Sequence, residues 1–263
     1  MLDHTPLTAV LTVLAGIVTG ALSAAFGVGG AVVSTPAIRL LGVSAAFAVG
    51  TTLPSILPAA LSGTVGYARA ALVRWDVVLW TVAPGALAAV VGARLSRAVP
   101  GDGHGLMILT ALLLGITARR MARGGGPPGA PSAAVAEGLN RRLVILIGAT
   151  AGLLSGLLGV GGGIVMVPAF SEVLGLRLKS AIATSLACVG LLAVPATLTH
   201  WWLGGIDWPT AALLSLGVLP GARLGAAAAL RAADRHLRVA VAAVLGATAA
   251  VYLVTELAAL TAG

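Results

Sequence analysis

The sequence predicts an all-α, polytopic membrane protein made of two homologous halves arranged as an inverted repeat. Each half has five membrane segments, the second of them short and broken. Three observations lead there. Of 263 residues, 59% are hydrophobic and only 9% charged, against about 25% charged in a soluble domain. Several apolar runs reach or approach the ~20 residues that a helix needs to cross a bilayer, and they lack the alternation of barrel strands. A glycine break, FGVGGAVVSTP at 26–36, returns as LGVGGGIVMVP at 158–168. Each glycine weakens a helix by roughly 1 kcal/mol relative to alanine, so such a cluster interrupts a helix instead of continuing it.

The first apolar run, 7–26, carries Gly16, Gly20 and Ser23 about a turn apart, a small-residue face for close helix packing. No basic stretch precedes it in MLDHTPLTAV, so it reads as a retained span and not a signal peptide. The run 31–41 is apolar but short. Counted from Gly27 it makes ~22 Å of helix at ~1.5 Å per residue, short of the ~30 Å hydrocarbon core. It is either a re-entrant half-helix or part of a broken span. The span 45–67 contains GTTLP and a second proline, Pro58, expected to kink it. The next, 77–95, follows Arg74-Trp75-Asp76, with Trp75 and Trp80 suited to a membrane interface. The run 106–118 ends in Arg119-Arg120.

Residues 122–140, rich in Gly, Pro and Ala, form a linker between an N-terminal repeat (1–121) and a C-terminal one (141–263). The second half then repeats the first: 143–158, the break, a short run 164–174, a long span 181–203 ending in His200-Trp201-Trp202, a helix to about 230, and 239–260. Asp207 is the expected N-cap of the fourth of these, with Pro209 in its first turn. Shifted by 132 residues, 16–37 and 148–169 are identical at 11 of 22 positions, in the order G-V-G-G…P that biased composition does not produce. With one more residue of shift, Thr51 falls on Thr184, Leu53 on Leu186 and Trp75 on Trp208; Pro84-Gly85-Ala86 echoes Pro220-Gly221-Ala222. The halves also differ. Ala31 stands opposite Gly163, and Pro54 and Pro58 opposite Ala187 and Leu191.

Cationic residues choose between two arrangements. If both short segments cross, one side receives Arg69, Arg74, Arg119, Arg120, Arg123, Arg141, Arg142, Arg177, Lys179, Arg223, Arg231, Arg235 and Arg238, and the other only Arg39, Arg94 and Arg97, a division of 13 against 3. If both re-enter, the division is 7 against 9. The positive-inside rule favours five segments per half, with both termini periplasmic and the linker cytoplasmic.

The doubled G-x-G-G…P break, the GTTL and ATSL starts of the following spans, and the P-G-A late in each half resemble the TauE/SafE family of membrane proteins, the sulfite exporter group, over essentially the whole chain. The resemblance implies a secondary transporter of the bacterial inner membrane. It would move sulfite or a small organosulfonate or related sulfur oxyanion, with export as the expected direction.

The residues suggest how. A broken helix leaves free N–H groups and a partial positive charge at its new N-terminus, an anion site that needs no buried lysine. In an inverted repeat two such ends converge near the midplane. The expected substrate-binding residues are Gly27, Gly29 and Gly30 facing Gly159, Gly161, Gly162 and Gly163, with hydroxyls from Ser23, Ser155, Thr51, Thr52, Thr184 and Ser185. Gly16, Gly20, Gly148 and Gly152 are read as packing residues instead. Snorkelling to the interface is the favoured account of Glu172, as of Arg39, Arg94 and Arg223, and Glu172 is the candidate for proton coupling.

The expected partners are the anion and the lipid bilayer, with a homodimer left open and no nucleic acid. The +8 net charge sits on arginines flanking apolar runs, not in a basic stretch interleaved with aromatics. Neither a cofactor nor a metal is expected; Cys188 is the single cysteine and excludes a multi-cysteine cluster. No G-x-x-x-x-G-K-[ST], H-E-x-x-H or G-x-S-x-G occurs, which argues against ATP hydrolysis at such a loop and against an enzyme. The alternatives are a passive anion channel, or a permease for another small anion or carboxylate. A cation transporter would want carboxylates within the membrane, where only Glu172 and Glu256 qualify.

Overall fold

Ten helices follow one another through the described residues of the computed structural model, which are 5–98, 104–123, 140–159 and 161–262. They are α1 (Pro6–Phe26), α2 (Ala31–Leu40), α3 (Ala45–Arg69), α4 (Trp75–Ala98), α5 (His104–Ala122), α6 (Arg141–Leu158), α7 (Gly163–Pro168), α8 (Leu178–Trp202), α9 (Trp208–Arg231) and α10 (Asp234–Ala262). A π-helical turn, Ala169–Val173, continues α7. Eight helices, all but α2 and α7, are long and apolar enough to cross a membrane. The predicted linker falls almost wholly outside the described residues.

Caps fix where several elements begin and end. Thr5 caps α1 by accepting from the Thr8 N–H, and Pro6 opens the helix where its missing N–H is harmless. Asp207 occupies the N-cap of α9, as predicted, but its carboxylate accepts from the Thr210 hydroxyl at 2.9 Å and not from a backbone N–H. Pro54 and Pro58 both lie inside α3, which continues through them as one helix.

Packing exchanges elements between the two halves. α1 packs on α9 and α4 on α6; α3 packs on α8 and α9, α8 on α3 and α4, and α5 on α10. Glycine makes the two tightest pairs possible. A methyl on Gly16 or Gly20 would meet the α9 backbone near Leu214 and Val218, and one on Gly148 or Gly152 would meet the α4 backbone at Thr81 and Gly85. These four are packing glycines, as the sequence suggested, and backbones this close gain dispersion contacts that lipid cannot replace.

The same contacts give the helix directions. Gly16 lies by Gly217 and Ala21 by Gly225, so α1 and α9 are parallel; Gly148 lies by Thr81 and Gly156 by Ala89, so α4 and α6 are parallel. Tyr67, fully buried near the end of α3, donates to the Ala24 carbonyl near the end of α1 at 2.7 Å. The stretch containing α2 therefore returns the chain to the end at which α1 began. α3 and α8 are antiparallel: Gly50 lies by Gly205 and His200, and Gly63 by Leu186.

Three hydrogen bonds gather cationic loops at one end of the bundle. The Arg74 N–H donates to Thr184 Oγ1 (3.0 Å), Ser180 Oγ to the Leu72 carbonyl (2.7 Å), and Lys179 Nζ to the Leu230 carbonyl (2.9 Å). At that end Arg74 also grips Asp76 through two bonds of 2.9 and 2.6 Å, and the Arg141 guanidinium lies 4.9 Å from the centre of the Trp80 ring. The opposite end holds Trp201 edge-on to Trp208 at 6.2 Å.

Candidate functional site: two glycine breaks in contact

Each break begins in the same way. α1 ends where Gly27 turns to φ 66° and its N–H closes on the Ser23 carbonyl at 2.8 Å; α6 ends where Gly159 turns to φ 67° and closes on the Ser155 carbonyl at 2.9 Å. Only glycine adopts that left-handed cap without strain. Gly27 faces Ile182 of α8, and Gly159 faces Val49 of α3, its counterpart in the repeat.

The two breaks touch. A methyl built on Gly161 would sit 3.6 Å from the Gly29 Cα, between Ile56 and Val189. Ile56 and Val189 each stand eleven residues into their 25-residue helices, α3 and α8, so the contact lies at the mid-length of the two central helices. Gly163 presses on the Gly27 carbonyl and on Val28, too closely for any side chain. Its counterpart Ala31 does carry a methyl. That difference, visible in the sequence, is a packing requirement at the crossing.

The N–H groups of Gly29, Gly30 and Ala31 have no hydrogen-bond acceptor among the described residues, nor do those of Gly161, Gly162 and Gly163. The Gly30 carbonyl is occupied, by the Ser34 hydroxyl at 3.1 Å and the Ser34 N–H at 3.0 Å. Donors are thus available at the breaks, and the positive end of the ten-residue α2 lies among them.

The predicted hydroxyls divide into two groups. Ser23 and Ser155 are buried, 3% and 0% exposed, and their Oγ atoms have no hydrogen-bond partner among the described residues. Both stand in the last turn before a break. Ser185 Oγ reaches the first break and donates to the Gly27 carbonyl at 2.8 Å. The others are used elsewhere. Thr51 Oγ1 accepts from the Asp207 N–H at 2.9 Å, as Thr184 Oγ1 accepts from the Arg74 N–H. These two equivalent bonds cross between the halves and fasten the starts of α9 and α4. Thr52 donates to the Ala48 or Val49 carbonyl and lies 3.3 Å from the Thr35 hydroxyl. Glu172 is exposed on the π turn, outside the buried contact between the breaks.

Sequence reasoning passed over Thr19. The residue is buried, 1% exposed, and its hydroxyl has no hydrogen-bond partner among the described residues. With Ser23, Gly29 and Gly30 it lines a small recess closed by Val244 and Leu245 of α10. The signal was present: Thr19 lies one helical turn before Ser23, on the same face of α1.

No group of three or more His, Cys, Asp or Glu among the described residues is placed to hold a metal ion. The only cysteine, Cys188, is fully buried in α8.

Comparison with known proteins gives relatives that span nearly the full chain. A "Probable membrane transporter protein YunE" of Bacillus subtilis (strain 168) is 27% identical over 244 residues, covering 83% of this chain and 87% of the relative. A "Probable membrane transporter protein" of Xylella fastidiosa (strain 9a5c) is 28% identical over 237 residues, 87% and 88% of the two chains. YjnA of B. subtilis, with the same description, is 26% identical over 242 residues, 89% and 95%. No solved structure matches. The family model described as "Sulfite exporter TauE/SafE" matches residues 12–252, and the chain, multi-pass and all-helical where it is described, belongs to that family of membrane transporters.

Proposed function

We propose that this chain is a secondary transporter that exports sulfite, as its hydrogensulfite form, or a small organosulfonate across the bacterial inner membrane. The anion is held where the two glycine breaks meet. The observation that carries this reading is the contact of Gly29 with Gly161 at the mid-length of α3 and α8, with N–H groups that have no acceptor among the described residues and the partnerless hydroxyl of Ser23 beside the first break. Buried donors without acceptors are costly, about 1–3 kcal/mol each, and an anion satisfies several together. Water there is a poorer partner for a helix N-terminus than a negative charge.

We infer further that the halves form an inverted repeat of five segments each. The antiparallel packing of α3 on its counterpart α8 supports this, as do the paired bonds Thr51–Asp207 and Thr184–Arg74. The gathering of Arg74, Lys179 and Arg141 at one end fits the 13 to 3 division and a cytoplasmic position for that end. An interior-negative potential drives an anion outward by ~2.3 kcal/mol per charge per 100 mV, so export needs no coupling ion.

The test is exchange in proteoliposomes. Labelled sulfite and methanesulfonate are loaded on one side and the unlabelled anion on the other. A carrier gives saturable flux accelerated by unlabelled substrate on the far side. Flux that rises without saturation indicates a channel instead, and absence of flux for both anions overturns the substrate class.

A further inference from the structure

Resting on the reading just given, we propose that the anion binds on one side of the crossing only. Its site is the N-terminus of α2, lined by the Thr19 and Ser23 hydroxyls and the Gly29–Ala31 N–H groups. The second break is a packed wall against which it rests. The repeat itself supplies the comparison. Thr19 has Ala151 as its counterpart, so the second hydroxyl exists in one half alone. Ser34 has Met166 as its counterpart; Ser34 folds back on the Gly30 carbonyl, whereas the fully buried Met166 brings its Cε within 3.3 Å of where a Gly162 methyl would stand.

The backbone differs correspondingly. Gly30 is helical at φ −61°, but Gly162 is left-handed at φ 69° and directed at the Ala151 carbonyl, 2.6 Å from a methyl built there. A methyl built on Gly30 would instead stand 3.8 Å from Ser23 Oγ and 3.1 Å from the Thr19 methyl, on the recess lined by Thr19, Ser23, Gly29, Gly30, Val244 and Leu245. One break thus borders a recess lined in part by two residues whose buried hydroxyls have no partner among the described residues. The other is filled by methionine and backbone.

The recess fixes the charge of its occupant. Among the described residues its lining consists of Thr19, Ser23, glycines and apolar residues, none of them ionisable. Desolvation grows with the square of the charge, so a site of dipoles holds a monoanion far better than a dianion. Methanesulfonate and hydrogensulfite are monoanions of the kind such a site prefers; sulfate is a dianion.

The experiment measures half-saturation for labelled methanesulfonate in proteoliposomes, with sulfate as competitor. Thr19→Val and Ser23→Ala are each expected to raise half-saturation about 10-fold, the scale of one lost hydrogen bond to a charged group. Ser155→Ala is expected to leave it unchanged, Thr19→Ser to keep it near wild type, Val244→Trp to abolish flux, and sulfate to compete weakly. Removing a partnerless hydroxyl does not unfold the chain, which the accessibility of Cys188 to a thiol dye verifies. An equal effect of Ser155→Ala and Ser23→Ala overturns the one-sided site, as does no effect of Ser23→Ala and Thr19→Val. Both leave the transport reading intact. Absence of saturable wild-type flux for methanesulfonate and sulfite alike removes that reading, and this inference with it.

Discussion

Gly163→Ala puts one methyl at the point where the two breaks cross. The added carbon lies against the Gly27 carbonyl oxygen and 2.6 Å from the Val28 carbonyl carbon, where ordinary contact begins near 3.4 Å. Both obstacles are backbone and cannot rotate aside, so one break must retreat by roughly 1 Å in an interior packed at crystal density. Overpacking of this kind costs typically 1–3 kcal/mol, and the better helix propensity of alanine returns up to ~1 kcal/mol. The net loss is about 1–2 kcal/mol, or about 3–6 °C of melting temperature for a chain this size. The assay is built in: Cys188 is the only cysteine and is fully buried, so a thiol-reactive dye reports unfolding. Gly115→Ala is the control, since it lies in the interior of α5 with nothing within 4 Å of the added methyl; it should gain roughly 0.5–1 kcal/mol. Equal melting shifts for the two variants, or a stabilised Gly163→Ala, would refute the packed crossing.

Other substitutions follow the same logic in the same dye assay. Thr51→Val strands the Asp207 N–H in a fully buried setting and should cost about 1–3 kcal/mol. Thr184→Val, whose bond is only partly buried, should cost less, and reversal of that order would contradict the burial. Tyr67→Phe removes the tie between α3 and α1 for about 1 kcal/mol; no shift in melting would mean that the bond is immaterial. Asp76→Asn breaks an exposed pair and should change stability by less than about 1 kcal/mol, with the difference shrinking further in high salt.

Much of this was legible in the chain because the repeat doubled every weak signal. A lone G-V-G-G is a break of unknown purpose. Two copies, with Ser23 and Ser155 in the same register, identify the turn that precedes each break. The short length of the second segments was the difficulty, since 31–41 alone does not span a bilayer. The antiparallel return of α2 meets it with a short helix whose start lies at the mid-length of α3 and α8. Other features depend on partners far along the chain. That Thr51 would accept from Asp207, 156 residues away, is set by how the halves interlock and by no local pattern. The π turn at Ala169–Val173, with its bond from the Leu174 N–H to the Ala169 carbonyl, lies between Pro168 and the left-handed Gly175 and was not read from them. Thr19 was readable from its place one turn before Ser23, and its counterpart Ala151 marks the difference between the halves.

The central claim is that the anion is held where the two glycine breaks meet. Counterflow of labelled methanesulfonate through Gly29→Leu and Gly162→Leu, each compared with wild type at matched protein incorporation, tests it most directly. The account predicts that either leucine abolishes flux, Gly29→Leu by filling the binding side and Gly162→Leu by forcing the facing wall off its left-handed turn. Wild-type flux through both variants would contradict it.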